Sequence, residues 1–168
     1  MKKLLLIALG CMSAASFAEG FTIPSGTTFV AKITTGAALV DVKAEDPMPI
    51  MAMVNLYDSK NQSDQAISVM NKTNSVLGIK LASKNIPTCN ILGAGFLDAG
   101  SLRAKVRTTS ISCTYPNGST YSAQLQGWFV DYNDNLAGIS VKGPKNSVQP
   151  NTDVYVVVNQ TTKLTKVD

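Results

Sequence analysis

The chain has 168 residues, 15 basic against 11 acidic side chains, a formal net charge of +4 and no histidine. The missing imidazole excludes a Ser-His-Asp or Cys-His catalytic centre and most catalytic zinc sites. The small positive charge includes neither a basic run nor a basic patch interleaved with aromatics, so it does not mark a nucleic-acid-binding surface.

Met1-Lys2-Lys3 followed by Leu4 to Leu9 joins a positive start to an apolar core. Ser16-Phe17-Ala18 then sets small residues three and one before a cut. The pattern predicts a secretory signal peptide over residues 1–18, cleaved between Ala18 and Glu19. A lipoprotein site at Cys11 is the alternative, but it leaves only about six apolar residues where roughly 7–15 are expected. The stretch is also too short to span a bilayer, which takes about 20 residues. Losing Lys2 and Lys3 reduces 15 basic residues to 13 against 11 acidic ones, a net charge of +2. About 150 residues then remain, 19–168, enough for one domain with its own core.

Pro24-Ser25-Gly26 reads as a turn, and Thr28 to Thr35 as a strand with Phe29, Ala31 and Ile33 on one face. Gly36 to Asp46 reads as a connection and Met48 to Tyr57 as a second apolar strand. Met48, Met51 and Met53 invite a soft-metal reading, but without His or Cys beside them adaptable packing is the expectation. Residues 58–74 form a polar insertion, with one or two helical turns expected over Ser63–Met70. From Thr73 to Leu81, Val76, Leu77, Ile79 and Leu81 resume β-type alternation.

Asn85 to Val130 organises the rest. Cys89 to Asp98 reads as a short apolar strand running into a glycine-rich turn. Gly93 and Gly95 lack the spacing and the Gly-Lys-Ser/Thr of a phosphate loop, so a bulge or a close backbone approach is expected, with no nucleotide site. Arg103 to Val130 reads as a hairpin turning at Pro116-Asn117-Gly118-Ser119. Its return strand puts Tyr121, Ala123, Leu125, Gly127 and Phe129 on one face, with Ser122, Gln124, Gln126 and Trp128 on the other. Asp131 to Asn135 reads as a polar turn, lacking the distal glutamate of a calcium loop. After breaks at Gly143-Pro144 and Gln149-Pro150-Asn151, Thr152 to Val158 reads as a central strand and Thr161 to Asp168 as a fraying tail.

With Cys11 removed in the signal, Cys89 and Cys113 are the cysteines of an exported chain, and an oxidising compartment predicts their disulfide. Closing a loop of roughly two dozen residues would contribute about 3 kcal/mol in the chain-entropy model. Two buried free thiols are the alternative. No pair of carboxylates can be placed across a cleft, so a non-catalytic protein is expected, with no metal and no cofactor.

The blocks Cys89-x-Ile-x-Gly93-Ala94-Gly95-Phe96-x-Asp98, Ser101-x-Arg103-Ala104, Arg107 and Ser112-Cys113 resemble the TraB family. These are periplasmic scaffold proteins of conjugative type IV secretion systems. Gly127-Trp128-Phe129-Val130 and Leu136-Ala137-Gly138 follow in family order, while Ile23 to Thr27 and Asp46 to Ile50 precede them. The resemblance extends from Phe21 to Ser140, with Gly93, Gly95, Asp98, Arg103, Arg107 and Gly127 as its motif positions. It implies a structural subunit in the periplasm, at the outer-membrane core complex. Its partners would be other core-complex proteins in a homo- or hetero-oligomeric ring, with membrane association through those partners and no direct nucleic-acid binding. Family members usually have an inner-membrane anchor and a proline-rich linker ahead of this domain, where this chain has the signal peptide. Where they insert a helical hairpin, between Ser140 and Val154, this chain has only Lys142 to Pro150. The packing module is therefore what the resemblance transfers.

The fold expected is all-β, one barrel or sandwich domain of about seven to nine strands with little helix. A second functional class is a free periplasmic or secreted β-domain that binds a ligand or surface component. Exposed apolar side chains along Met48–Leu56 or around Trp128 would favour the subunit. A closed concave pocket would favour the binding module.

Overall fold

A computed structural model describes residues 20–55 and 87–167. The signal peptide, the Ala18–Glu19 junction, the insertion 58–74 and the alternating run to Leu81 lie outside the described residues. Those residues form twelve strands and no helix. They are β1 (Gly20–Ile23), β2 (Thr28–Thr35), β3 (Ala37–Ala38), β4 (Met48–Asn55), β5 (Thr88–Asp98) and β6 (Arg103–Thr114). Then follow β7 (Thr120–Gln124), β8 (Gly127–Asp131), β9 (Ile139–Ser140), β10 (Ser147–Val148), β11 (Asp153–Val158) and β12 (Thr162–Val167). Nine have four residues or more, the upper end of the expected number.

Six strands close a barrel in the order β6-β5-β4-β2-β11-β8, and β8 returns to β6 at Arg107↔Trp128. A barrel this small is filled by its own side chains. Phe29, Ala31 and Ile33 from β2, Ile50, Ala52 and Val54 from β4, and Val154, Val156 and Val158 from β11 all point inward and are buried. β7, β12 and β1 extend the sheet from the far half of β6. β9 lies on the near half of β6, and β3 with β10 makes a separate two-stranded ribbon.

The switch between these neighbours is a bulge at Thr109. Leu92 pairs with Ser110 and Gly93 with Thr108, so one residue of β6 is left over. The inward positions shift with it, from Ala104, Val106 and Thr108 to Ile111 and Cys113. One extra residue reverses which side chains face the core, and it bends the strand. Beyond the bulge β6 pairs with β7; before it, β8 and β9 take over.

The bulge also divides the expected hairpin. Its tip is as read: Gly118 N–H donates to Tyr115 O at 2.9 Å, and Gly118 alone of the Asn-Gly pair takes a positive φ, 85°. The return arm, however, breaks at Leu125-Gln126. There Leu125 N–H donates to Thr109 O, and the Thr108 hydroxyl donates to Leu125 O at 2.8 Å. β8 then pairs mainly with β11. The alternation of faces survives the break: Leu125, Gly127 and Phe129 are buried, while Gln124, Gln126 and Trp128 are exposed.

Four further expectations are corrected. The glycine-rich turn does not exist, because β5 runs unbroken through Gly93 and Gly95 to Asp98. Both glycines allow the close approach that was the reading of their chemistry. A Cβ on Gly93 would lie 2.6 Å from Val106 Cγ1, and one on Gly95 would lie 2.5 Å from Ile50 Cδ1. The connection Gly36–Asp46 contains β3 and fully buried Leu39, which plugs it into the core. Met48 and Met51 do not pack inside; they are 42% and 38% exposed. The tail does not fray, since β12 pairs with β1 on one side and β7 on the other, burying Thr162 and Leu164.

Candidate functional site

The outer wall of the barrel contains a row set by register: Pro49, Ala94, Arg107 and Trp128 are successive cross-strand neighbours on β4, β5, β6 and β8. Two residues along, Met51 faces Leu92. Alternation forces all six outward, because Ile50, Ile91, Val106 and Phe129 on the same strands fill the core. Met51, Leu92 and Trp128 therefore expose apolar surface on one face, Leu92 and Trp128 at 37% each. Arg107 lies in this face with its guanidinium carbon 4.8 Å from the Trp128 ring centroid. A cation over an indole face at an exposed site contributes about 0.5–1 kcal/mol. The contact also restrains both side chains.

A second cluster braces the loop between β8 and β9. Arg103, at the start of β6, holds Asp134 with both terminal nitrogens, at 2.9 and 3.1 Å, and also donates to Gly138 O at 3.0 Å. One terminal nitrogen lies 3.3 Å from Asp131 Oδ2. Asp131 is buried, and its carboxylate also accepts the backbone N–H of Asn133 and of Ser140, each at 2.9 Å. Burial pushes the Asp131 pKa up. The N–H groups of Ser140 and Asn133, the Ser140 hydroxyl and the Arg103 charge outweigh it and hold the carboxyl below the usual aspartate value. Arg103 Nε is buried without a hydrogen-bond partner among the described residues. This cluster is a clamp on a turn, with its oxygens already engaged, and it offers no open position for chemistry.

The motif positions fall at constrained places rather than around one pocket. Gly93 and Gly95 line the barrel interior against Val106. Asp98 ends β5 opposite Arg103 in register and accepts from the Ser101 hydroxyl, which lowers its pKa. Gly127 is packed so that a Cβ would run into the Val157 carbonyl. Cys89 and Cys113 are direct cross-strand partners on β5 and β6, both buried, with Cα atoms 4.0 Å apart and sulfurs at bonding distance. The Arg103 clamp was not anticipated from the sequence. Its carboxylates lie in what reads only as a polar turn, and a half-buried arginine reaching that turn from the start of β6 is a tertiary fact.

A cleft of about 290 Å³ opens beside the start of β4, lined by Asp41, Val42, Lys43, Glu45, Asp46 and Met48. Among the described residues no cluster of His, Cys, Asp and Glu is arranged to hold a metal ion. No protein-family model matches the chain, and no curated protein matches it.

Proposed function

We propose that this protein is a non-catalytic structural subunit of a conjugation-type (type IV) secretion system, in the periplasm at the outer-membrane core complex. The observation that carries the reading is the outward face of Met51, Leu92, Arg107 and Trp128. Trp and Arg are the residues most often found at the energetic centre of a protein interface, and a scaffold acts by presenting such a face. The TraB-like blocks support the system to which the subunit belongs. Their glycines fall where strands pack closest, and their arginines fall one on the clamp and one on the face.

The ligand-binding alternative would need an enclosed apolar pocket. The cleft at Asp41–Met48 offers instead an open, largely charged lining. The test is genetic and physical together. The gene is deleted, transfer of the mobile element is measured, and the core complex is purified from the same strain and sized. Loss of transfer with a smaller or absent complex is expected. Normal transfer with an unchanged complex overturns the structural role in favour of ligand binding.

A further inference from the structure

We infer that the Arg107–Trp128 face is covered by a second copy of this chain, which meets it with the acidic cleft over Asp41–Met48. The inference deepens the reading above and rests on that face being a docking surface. It begins from the charges left unmatched. Among the described residues, Arg103 holds Asp131 and Asp134, and Lys32 holds Asp153. Asp98 is taken by Ser101 and Gly100, and the Lys105 ammonium donates to Ala137 O. No carboxylate of the described residues pairs with Arg107, which lies on Trp128 instead. What such a unit calls for is a carboxylate set beside apolar groups, since Arg binds carboxylates through paired N–H donors.

The chain itself presents that chemistry once more. Asp41, Glu45 and Asp46 line the cleft with Lys43, three carboxylates against one ammonium, and none of the three has an ion-pair partner among the described residues. Val42 and Met48 complete the lining, and Val40 beside them is 46% exposed. The cleft therefore sets apolar Val42 and Met48 among an excess of carboxylates, while the face sets a cation among apolar groups. Opposite signs and shared apolar area make the two surfaces complements. Each face would thus meet the cleft of another copy, reciprocally in a closed pair or in succession along a ring.

The experiment is sedimentation equilibrium of the purified full-length exported protein over a concentration series. The wild type is expected to self-associate, and Arg107→Glu to weaken association by about tenfold or more, equivalent to about 1.4 kcal/mol. The double variant Glu45→Lys, Asp46→Lys is expected to weaken it likewise. An equimolar mixture of the two variants is expected to associate again, because the unaltered Arg107 face of the double variant can meet the unaltered cleft of Arg107→Glu, and each reversed charge can meet its opposite. All the altered side chains are exposed; the double variant should melt with the wild type, Arg107→Glu a few degrees lower for its lost contact with Trp128, and recovery in the mixture shows both variants to be folded. A wild type that stays monomeric throughout overturns the inference. So does association indifferent to Arg107→Glu, or a mixture that does not recover. A monomeric protein whose deletion still dismantles the core complex overturns this inference alone, leaving the structural role with another partner on that face.

Discussion

At the scale of single residues, the Asp131 carboxylate is the group whose ionisation the fold most depends on. Its folded pKa lies below 3.8, the ordinary aspartate value. A carboxyl with a lowered folded pKa contributes stability that is present above its unfolded pKa and lost as pH falls through the folded value. Denaturant midpoints should therefore hold steady from neutral pH to about 5 and fall as pH drops below 3.8. Asp131→Asn, which cannot titrate, should flatten that acid limb, and an unchanged limb would show that the clamp does not set it. Arg103→Ala should cost about 3 kcal/mol at neutral pH, because it leaves a buried carboxylate without its cation. None of this was legible in Asp131-Tyr-Asn-Asp-Asn135. A run of Asp and Asn announces a turn through its side-chain-to-backbone hydrogen bonds, which are local. Arg103 reaches the turn from 28 and 31 positions earlier in the chain, a distance that no local pattern encodes. Gly93 and Gly95 went the other way. Their chemistry was read correctly as close approach, and only the inference that glycines must also end the strand failed.

Among the elements, β5 and β6 form the central pair, joined from Thr88↔Thr114 to Asp98↔Arg103 with one register shift at Thr109. The cysteines close this pair at the end remote from Arg103, whose side chain ties β6 to the turn between β8 and β9 rather than to β5. Alternation of Arg103 to Arg107 and of Tyr121 to Phe129 was enough to assign faces, because a strand's period of two is written directly in its side chains. The division of the return arm was not legible. It depends on Thr109 being left over opposite β5, and the mismatch shows only when the two strands are laid together. Likewise β12 read as a tail because Lys163 and Lys166 face solvent, though alternate residues Thr162 and Leu164 are buried. Cys113→Ala should destabilise the domain by about 2–5 kcal/mol, as removal of native bridges does in small exported domains. Urea midpoints of wild type and variant measure the loss, and non-reducing peptide maps check the bridge itself. Two alkylatable thiols in the native protein would overturn the disulfide.

For the whole molecule, the all-β class followed from short alternating runs separated by turns, and closure did not. This barrel closes because β6 changes partners at its bulge, giving Arg107↔Trp128 as the seam. That seam coincides with the outward face, so the contact that completes the barrel also positions the arginine and tryptophan available to a partner. The buried Cys89–Cys113 pair is in keeping with the exported location proposed above, since an oxidising compartment lets such a pair form. In that proposal the first eighteen residues would supply the route, with Ser16 and Ala18 as the small residues expected before a signal-peptidase cut. The exported protein should accordingly begin at Glu19, carry no lipid and have the mass of the oxidised cysteine pair. Intact-mass measurement of protein released from the periplasm decides all three together. A diacylglycerol-modified Cys11 at the N-terminus would anchor the domain to a membrane directly, and partners would then not be needed to hold it there.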